Sequence, residues 1–180
     1  MHVAAVNGTH IHYRDIDPGG GRPVLVFSNS LGADFRIWDR VIDRPGDRFR
    51  IITYDKRGHG LSDGAPARWF SADFRSSKTA ELSAWRNLLV RTTADGYAGT
   101  CAALRDADLT ESSAKLDVPT LCICGSEDGA TTPDLVRSTA DLIPGARFEL
   151  VEGAGHLPCI EAPDAVADLI LEFTAETVDA

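Results

Sequence analysis

The five residues from Gly60 to Gly64 have the spelling G-x-S-x-G and could present a nucleophile. In that pattern a buried strand runs directly into the serine and a helix follows, so a sharp turn exposes the hydroxyl. A serine held in this way can attack a carbonyl carbon once a neighbouring base takes its proton. Ser62 is therefore the first candidate for a catalytic residue.

The sequence around Ser62 does not fit that geometry. The preceding apolar strand ends near Tyr54, and the polar stretch DKRGHGL lies between that strand and the serine. Downstream, DGAP has the composition of a turn, and Pro66 restricts the residue before it to extended conformations. No other G-x-S-x-G occurs in the chain. We expect no nucleophile elbow here; the use of Ser62 or Cys159 as a replacement nucleophile stays an alternative.

The remaining cysteines and histidines do not form a metal-ligand pattern. Cys122 and Cys124 alternate within an apolar run and would share one strand face as small core residues. His10 and His12 would share a face of a half-exposed strand. No C-x-x-C or H-x-x-x-H spacing accompanies them. We therefore expect no metal. Four cysteines in 180 residues do not make a disulfide scaffold, so we expect a cytoplasmic location.

Composition excludes other classes of partner. The chain is 43% hydrophobic and 25% charged, as is ordinary for a globular protein, and its formal net charge of −9 disfavours nucleic-acid binding. No apolar run approaches the length of a membrane span. The first ten residues, MHVAAVNGTH, show neither a basic segment nor an apolar segment of a signal peptide. We therefore expect neither a nucleic-acid partner nor a membrane partner.

The order of predicted elements indicates an α/β fold with a mostly parallel sheet. Two alternating runs joined at Asn7-Gly8 predict a hairpin, and VLVFS, FRIITYD, VPTLCICG and ARFELV predict further strands. Helical patterns lie between and after them, in TAELSAWRNLLV, DGYAGTCAALRD and APDAVADLILEF. Alternating strands and helices after a hairpin are typical of a parallel sheet. The helical stretch from about 66 to 113 is best interpreted as an insertion above that sheet.

Four stretches resemble motifs of the α/β-hydrolase superfamily. YDKRGHGLSDG is similar to the loop after the fourth strand, and VLVFSNSLGADFRIWD to the oxyanion-hole loop after the third. CICGSEDGATTP resembles the loop that carries the acid of the catalytic triad, and VEGAGHLPCIEAP the loop that carries its histidine. Within the superfamily the motifs look most like those of the 3-oxoadipate enol-lactonases, cofactor-free hydrolases of aromatic-acid catabolism. The resemblance covers essentially the whole chain.

The resemblance implies a role for particular residues. It makes Asp128 the triad acid and His156 the general base, with the backbone N–H of Ser30 and of Leu31 as oxyanion donors. The positions are physically consistent, because Asp128 lies four residues beyond an apolar strand that ends at Cys124 and His156 follows the last strand on a glycine-rich loop. Structural roles for both residues stay open as alternatives. The same resemblance makes Asp55, Arg57 and Ser62 stabilisers of a loop beside the active site. Candidates for substrate binding are Trp85, Arg86 and Arg105. For Trp69 and Trp85, hydrophobic filling is the competing interpretation.

One segment that the family pattern requires is missing. The elbow and a further strand should lie between the fourth strand and the cap, yet LSDGAP runs straight into ARWFSADFR. We expect TLCIC to pair with VLVFS and close the gap, since an open apolar edge is an aggregation hazard. The resulting single compact domain would comprise an N-terminal part of the α/β core, a helical cap remnant and a C-terminal part of the core, over residues 1–65, 66–113 and 114–180.

Two functions follow as alternatives. The first is a carboxylic-ester hydrolase of the enol-lactonase type, acting on a small lactone or ester, impaired by the missing elbow and requiring no cofactor. The second is a catalytically inactive, internally deleted hydrolase that acts as a binding module or a non-functional fragment. A homo-oligomer is possible in either case.

Overall fold

The computed structural model describes residues 2–6, 9–30, 33–55, 69–89 and 94–177. By their internal contacts the residues fall into two compact units, Met1–Asp63 with Ser83–Arg105, and Gly64–Leu82 with Asp106–Ala180. The expected assembly of three segments into one compact domain stays a prediction. No helix in the described part of the chain has the length and hydropathy of a membrane span.

The first unit is built on a four-stranded sheet in the order β1-β2-β4-β3. These strands are β1 (His2–Val6), β2 (Thr9–Ile16), β3 (Val24–Ser28) and β4 (Arg50–Tyr54). Strand β1 pairs with β2 in antiparallel fashion up to the partners Val6 and Thr9, which confirms the predicted hairpin. Strands β2 and β4 are also antiparallel, whereas β3 and β4 are parallel.

Helical segments complete the first unit and confirm two sequence predictions. A 3-10 turn, Phe35–Trp38, leads into the short helix α1 (Asp39–Ile42). The interior residues Phe35, Ile37 and Val41 from this segment are buried together with Ile51 of β4. The two predicted helices of the insertion are present as α3 (Thr79–Leu89) and α4 (Ala94–Asp106), and only the later part of α3 belongs to this unit.

The second unit holds a two-stranded parallel sheet, β5 (Leu121–Gly125) with β6 (Arg147–Val151). Its core combines Cys124 and Val151 of the strands with Val166 and Ala167 of the last helix. The helices in the described part of this unit, besides the start of α3, are α2 (Ala72–Ser77), α5 (Thr110–Ser113), α6 (Pro133–Leu142), α7 (Pro158–Glu161) and α8 (Pro163–Thr177). Helix α6 has proline in its first turn, and Thr132 before it makes no side-chain cap hydrogen bond.

The predicted closure of the sheet by TLCIC against VLVFS is wrong. Strand β3 pairs with β4 and β5 pairs with β6, so the described strands form two separate sheets. Strand β3 is also not buried on both faces as its continuous apolar run suggested, because Val24 and Val26 are 51% and 61% exposed while Phe27 is buried. An apolar run allows a strand to be buried on both faces but does not require it. Within the described residues β3 is an edge strand covered on one face.

Candidate active site

Asp128 and His156 meet at the carboxyl ends of the parallel strands β5 and β6. Asp128 lies three residues beyond the end of β5, and His156 five residues beyond the end of β6. Because parallel strands end at the same edge of a sheet, both loops emerge side by side. His156 Nδ1 lies 2.9 Å from Asp128 Oδ2. The structure therefore brings together the two residues that the sequence singled out as acid and base.

The Asp128 carboxylate is buried and fully supplied with donors. Only 6% of the residue is exposed. Its Oδ1 accepts the backbone N–H of Ala130 at 2.7 Å and of Thr131 at 2.9 Å, and Oδ2 accepts the Thr131 hydroxyl at 2.8 Å. Burial by itself raises the pKa of Asp128, but the hydrogen bonds from His156, Thr131 and Ala130 outweigh it, and the pKa is lowered. The carboxylate is thus held ionised.

The two site loops approach each other so closely that glycine is required. A Cβ on Gly125 would overlap the carbonyl oxygens of Ala154 and Gly155, and a Cβ on Gly155 would lie 2.8 Å from the carbonyl oxygen of Trp69. Backbone hydrogen bonds span the same gap, from Glu127 N–H to Ala154 O at 2.9 Å. Gly125, in the strand before Asp128, therefore lets the acid and base loops approach each other, whereas Gly155 lets the histidine loop approach the segment of Trp69.

The imidazole of His156 is oriented by its Nδ1 edge. Besides Asp128, the Thr131 hydroxyl lies 3.2 Å from Nδ1, on the carboxylate side of the ring. The Trp69 ring lies beside it, with 6.4 Å between ring centroids, and 24% of the His156 side chain is exposed. Within the described ranges no hydroxyl, thiol or carboxylate makes a hydrogen bond with Nε2. The arrangement therefore presents a histidine with a fixed tautomer whose second nitrogen can take a proton.

The loop after β3, in the first unit, is shaped by Asn29. The Asn29 amide donates to the carbonyl oxygen of Ser30 at 3.1 Å and to that of Ala33, and the Ala33 N–H also bonds to the Ser30 carbonyl at 3.2 Å. The Ser30 N–H makes no hydrogen bond to another described residue. A backbone N–H of this kind is the type of donor that stabilises an oxyanion. Leu31, the second predicted donor, lies outside the described residues.

Comparison with known proteins settles the family. The profile of the alpha/beta hydrolase family matches residues 65–169, more than half of the chain. This chain belongs to the alpha/beta hydrolase family. The resemblance seen in its motifs is thereby confirmed at the level of the family.

Among its relatives are proteins of the lactonase type. The α/β-hydrolase chain is 27% identical to 3-oxoadipate enol-lactonase 1 of Acinetobacter baylyi, over 84% of this chain and 88% of that protein. An enol-lactonase structure from Burkholderia xenovorans has a TM-score of 0.87 at 27% identity and covers 97% of this chain and 100% of that one. A hydrolase from Pseudomonas aeruginosa has a TM-score of 0.85 over 96% of this chain and 97% of that one; at 22% identity it shows the fold alone.

This α/β-hydrolase is shorter than its relatives. The alignment with the Acinetobacter protein spans 235 positions, whereas this chain has 180 residues and is matched over most of its length. The relative therefore carries residues between the matched ends that this chain lacks. That the missing residues include the nucleophile elbow stays a prediction, because Ser62 and the residues around it lie outside the described ranges.

The other predicted residues of this α/β-hydrolase belong to the first unit. Trp85 and Arg86 lie on α3 in the first unit, with Trp85 half-buried, and Arg105 is exposed in the last turn of α4. The side chain of Arg86 lies outside the described residues, as does all of Arg57. Asp55 links neighbouring segments as expected of a loop stabiliser, accepting the Phe35 N–H at 2.8 Å and contacting His12 at 3.0 Å.

Cys159 is excluded as a replacement nucleophile. The residue is only 5% exposed, and burial raises the pKa of its thiol to about 12. A thiol needs to ionise and to reach the substrate before it can attack. The alternative based on Cys159 is therefore wrong.

Metal ligands are a separate question. No cluster of three or more potential metal ligands is found among the described side chains.

Acid titration should expose the carboxylate of Asp128. Because its pKa in the folded protein is lowered from the ordinary 3.8, the ionised group contributes stability above that value and loses it as pH falls further. We expect the difference in melting temperature between the wild type and Asp128→Asn to shrink as the pH falls below 4. Calorimetric melts at each pH provide the measurement; a difference unchanged down to pH 3 would contradict the assignment.

Proposed function

We propose that this chain is a carboxylic-ester hydrolase of the lactonase type, acting on a small lactone with an enol leaving group. The contact of 2.9 Å between His156 Nδ1 and the buried Asp128 carboxylate carries the proposal. Support comes from the alpha/beta hydrolase family match and from the enol-lactonase relatives at 24–27% identity. No cofactor is needed for this chemistry, since an acid–histidine pair can supply both the base and the returning proton.

The proposed reaction uses water where a covalent nucleophile is missing. Asp128 fixes the tautomer of His156, so that Nε2 accepts a proton from a water molecule. The hydroxide oxygen adds to the lactone carbonyl carbon, and the negative charge moves to the carbonyl oxygen. The carbonyl then re-forms as the C–O bond of the ring breaks, and the departing enolate takes the proton from His156 Nε2 to give the keto acid and the neutral imidazole.

Oxyanion stabilisation by the loop after β3 is proposed from the resemblance of that loop to the family motif. The backbone N–H groups of Ser30 and Leu31 are proposed as donors to the carbonyl oxygen, with Asn29 keeping the Ser30 carbonyl turned into the loop. Small residues there let the backbone approach a substrate. Trp85, Arg86 and Arg105 remain candidates for contacts with the rest of the substrate.

The expected rate is low. A positioned general base contributes about 10² to 10⁴ in rate, whereas loss of the nucleophile from a triad costs on the order of 10⁶. The test is hydrolysis of the enol-lactone derived from muconolactone by purified protein. We expect turnover proportional to protein concentration and no burst of product, because no acyl-enzyme forms.

An inactive, internally deleted hydrolase is the competing function. The observation that favours it is that, in the part of the chain described, no nucleophile faces His156 Nε2. A cooperative melt combined with a rate equal to that of buffer would reject hydrolysis and support this alternative. Labelling of Ser62 by a fluorophosphonate, located by mass spectrometry, would instead restore a covalent route.

A further inference from the structure

The carboxylate of Glu161 joins the loop of His156 to a distant part of the chain. Glu161 is the last residue of α7, five positions after the histidine. Its Oε1 accepts the Gly155 N–H at 3.0 Å. The Ser71 N–H lies 3.2 Å from both carboxylate oxygens, and the Ser71 hydroxyl donates to Oε2. Three donors from two segments therefore converge on one side chain, and charge-assisted bonds of this type are the stronger ones.

Gly155 is the point at which these segments touch. A Cβ there would lie 2.8 Å from Glu161 Oε1, from Ser71 N and from Trp69 O. The residue that follows Gly155 is His156, so the Gly155 N–H bond fixes the peptide that leads into the imidazole. Without the Glu161 carboxylate, the Gly155 and Ser71 N–H groups lose a partner in a mostly buried place, which favours rearrangement of the loop.

The other side of the same carboxylate holds Trp69 next to the histidine. Ser71 is buried, and its Oγ accepts the Phe74 N–H at 3.2 Å at the start of α2. The bonds from Ser71 to Glu161 anchor this start, and Trp69 lies two residues before it. The ring of Trp69 borders the imidazole at 6.4 Å between centroids. Anchoring of Ser71 therefore also determines where this aromatic surface lies.

We infer that Glu161 is a positioning residue for the active site: it sets the orientation of His156 towards Asp128 and holds Trp69 as an apolar wall beside the imidazole. The inference rests on the proposed function, in that the pair it positions is the proposed base and its acid. Proton transfer is efficient only when the distance and angle between the reacting groups stay close to their productive values, and a supporting side chain such as Glu161 keeps them there. Glu161 itself does not touch Asp128 or the His156 ring among the contacts described.

The test compares Glu161→Ala and Glu161→Gln with the control Glu172→Gln. Glu172 belongs to the same unit, and its substitution removes a carboxylate just as Glu161→Gln does. The partner of Glu172 is Arg147, at 2.9 Å, away from the site loops. Two readouts are taken on each folded protein. One is the NMR signal and pH titration of the His156 imidazole, assigned by His156→Ala, and the other is the rate of lactone hydrolysis.

For Glu161→Ala we expect the Nδ1–H signal of His156 to lose its protection from exchange and the rate to fall at least tenfold, mainly in kcat. Glu161→Gln keeps one acceptor oxygen and should show a smaller change of the same sign; it decides alone if Glu161→Ala does not fold. An unchanged imidazole signal in a folded Glu161 variant overturns the inference. If the wild type shows no hydrolysis, the proposed function fails, and the imidazole readout still decides the positioning role.

Discussion

Replacing His156 by alanine is expected to lower kcat/KM for lactone hydrolysis by a factor of about 10² or more, so that the observed rate no longer exceeds that of the buffer reaction. The imidazole is the only proton acceptor that the described site offers, since the Asp128 carboxylate is directed at Nδ1 and enclosed by donors. Removal of the ring leaves water without a base. The measurement is steady-state hydrolysis at several protein concentrations, so that catalysis is separated from the background.

The matched control for that variant is His12→Ala. His12 also contacts an aspartate through Nδ1, at 3.0 Å from Asp55, but it lies on β2 and its side chain is 41% exposed. General loss of a histidine–aspartate contact should therefore affect both variants, whereas loss of the base affects only one. We expect His12→Ala to retain the wild-type rate. Hydrolysis that survives in His156→Ala would contradict the proposed mechanism.

The substitution Gly125→Ala should have the largest effect on stability. The added methyl group would overlap the carbonyl oxygens of Ala154 and Gly155 and lie 2.7 Å from Ala154 C. All three are backbone atoms, so no side chain can rotate away, and the two site loops must separate. Overpacking typically costs about 1 to 3 kcal/mol of unfolding free energy, and we expect the upper end here because the overlap is with backbone atoms. Chemical denaturation of the variant and the wild type measures it.

Gly99→Ala is the control for the same chemical change. Gly99 lies within α4, and a Cβ there would meet no atom within 4 Å. Alanine is the better helix former, so stability should rise by about 0.5 to 1 kcal/mol. The two variants should thus shift the denaturation midpoint in opposite directions. Equal stability of Gly125→Ala and the wild type would mean that the loops do not approach as described.

Local patterns were sufficient to predict much of this fold. The hairpin at Asn7-Gly8, the apolar strand runs and the helices of the insertion depend on side chains close in sequence, and these predictions agree with the structure. The pair of Asp128 and His156 could be predicted because each follows a parallel strand, and such strands end at one edge. The turn that surrounds Asp128 is equally local, since its carboxylate accepts N–H groups two and three residues ahead.

What could not be predicted depends on contacts far apart in sequence. Glu161 and Ser71 are separated by 90 positions, and no local spacing relates them. The pairing of β5 was misjudged for a similar reason. Its apolar alternation specifies that it joins a sheet, but not which strands lie beside it; among the described strands β5 pairs with β6 and not with β3.

The Thr131 hydroxyl has a consequence for the fate of Asp128. It donates to Oδ2 and lies 3.2 Å from His156 Nδ1, so the carboxylate oxygen that contacts the histidine has a second hydrogen-bond donor as well. If the ring rotates away or is removed, two amides and this alcohol still solvate the anion. The acid is therefore not a counter-ion that depends on its base: it is an anchored negative charge to which a histidine can return after each proton is delivered.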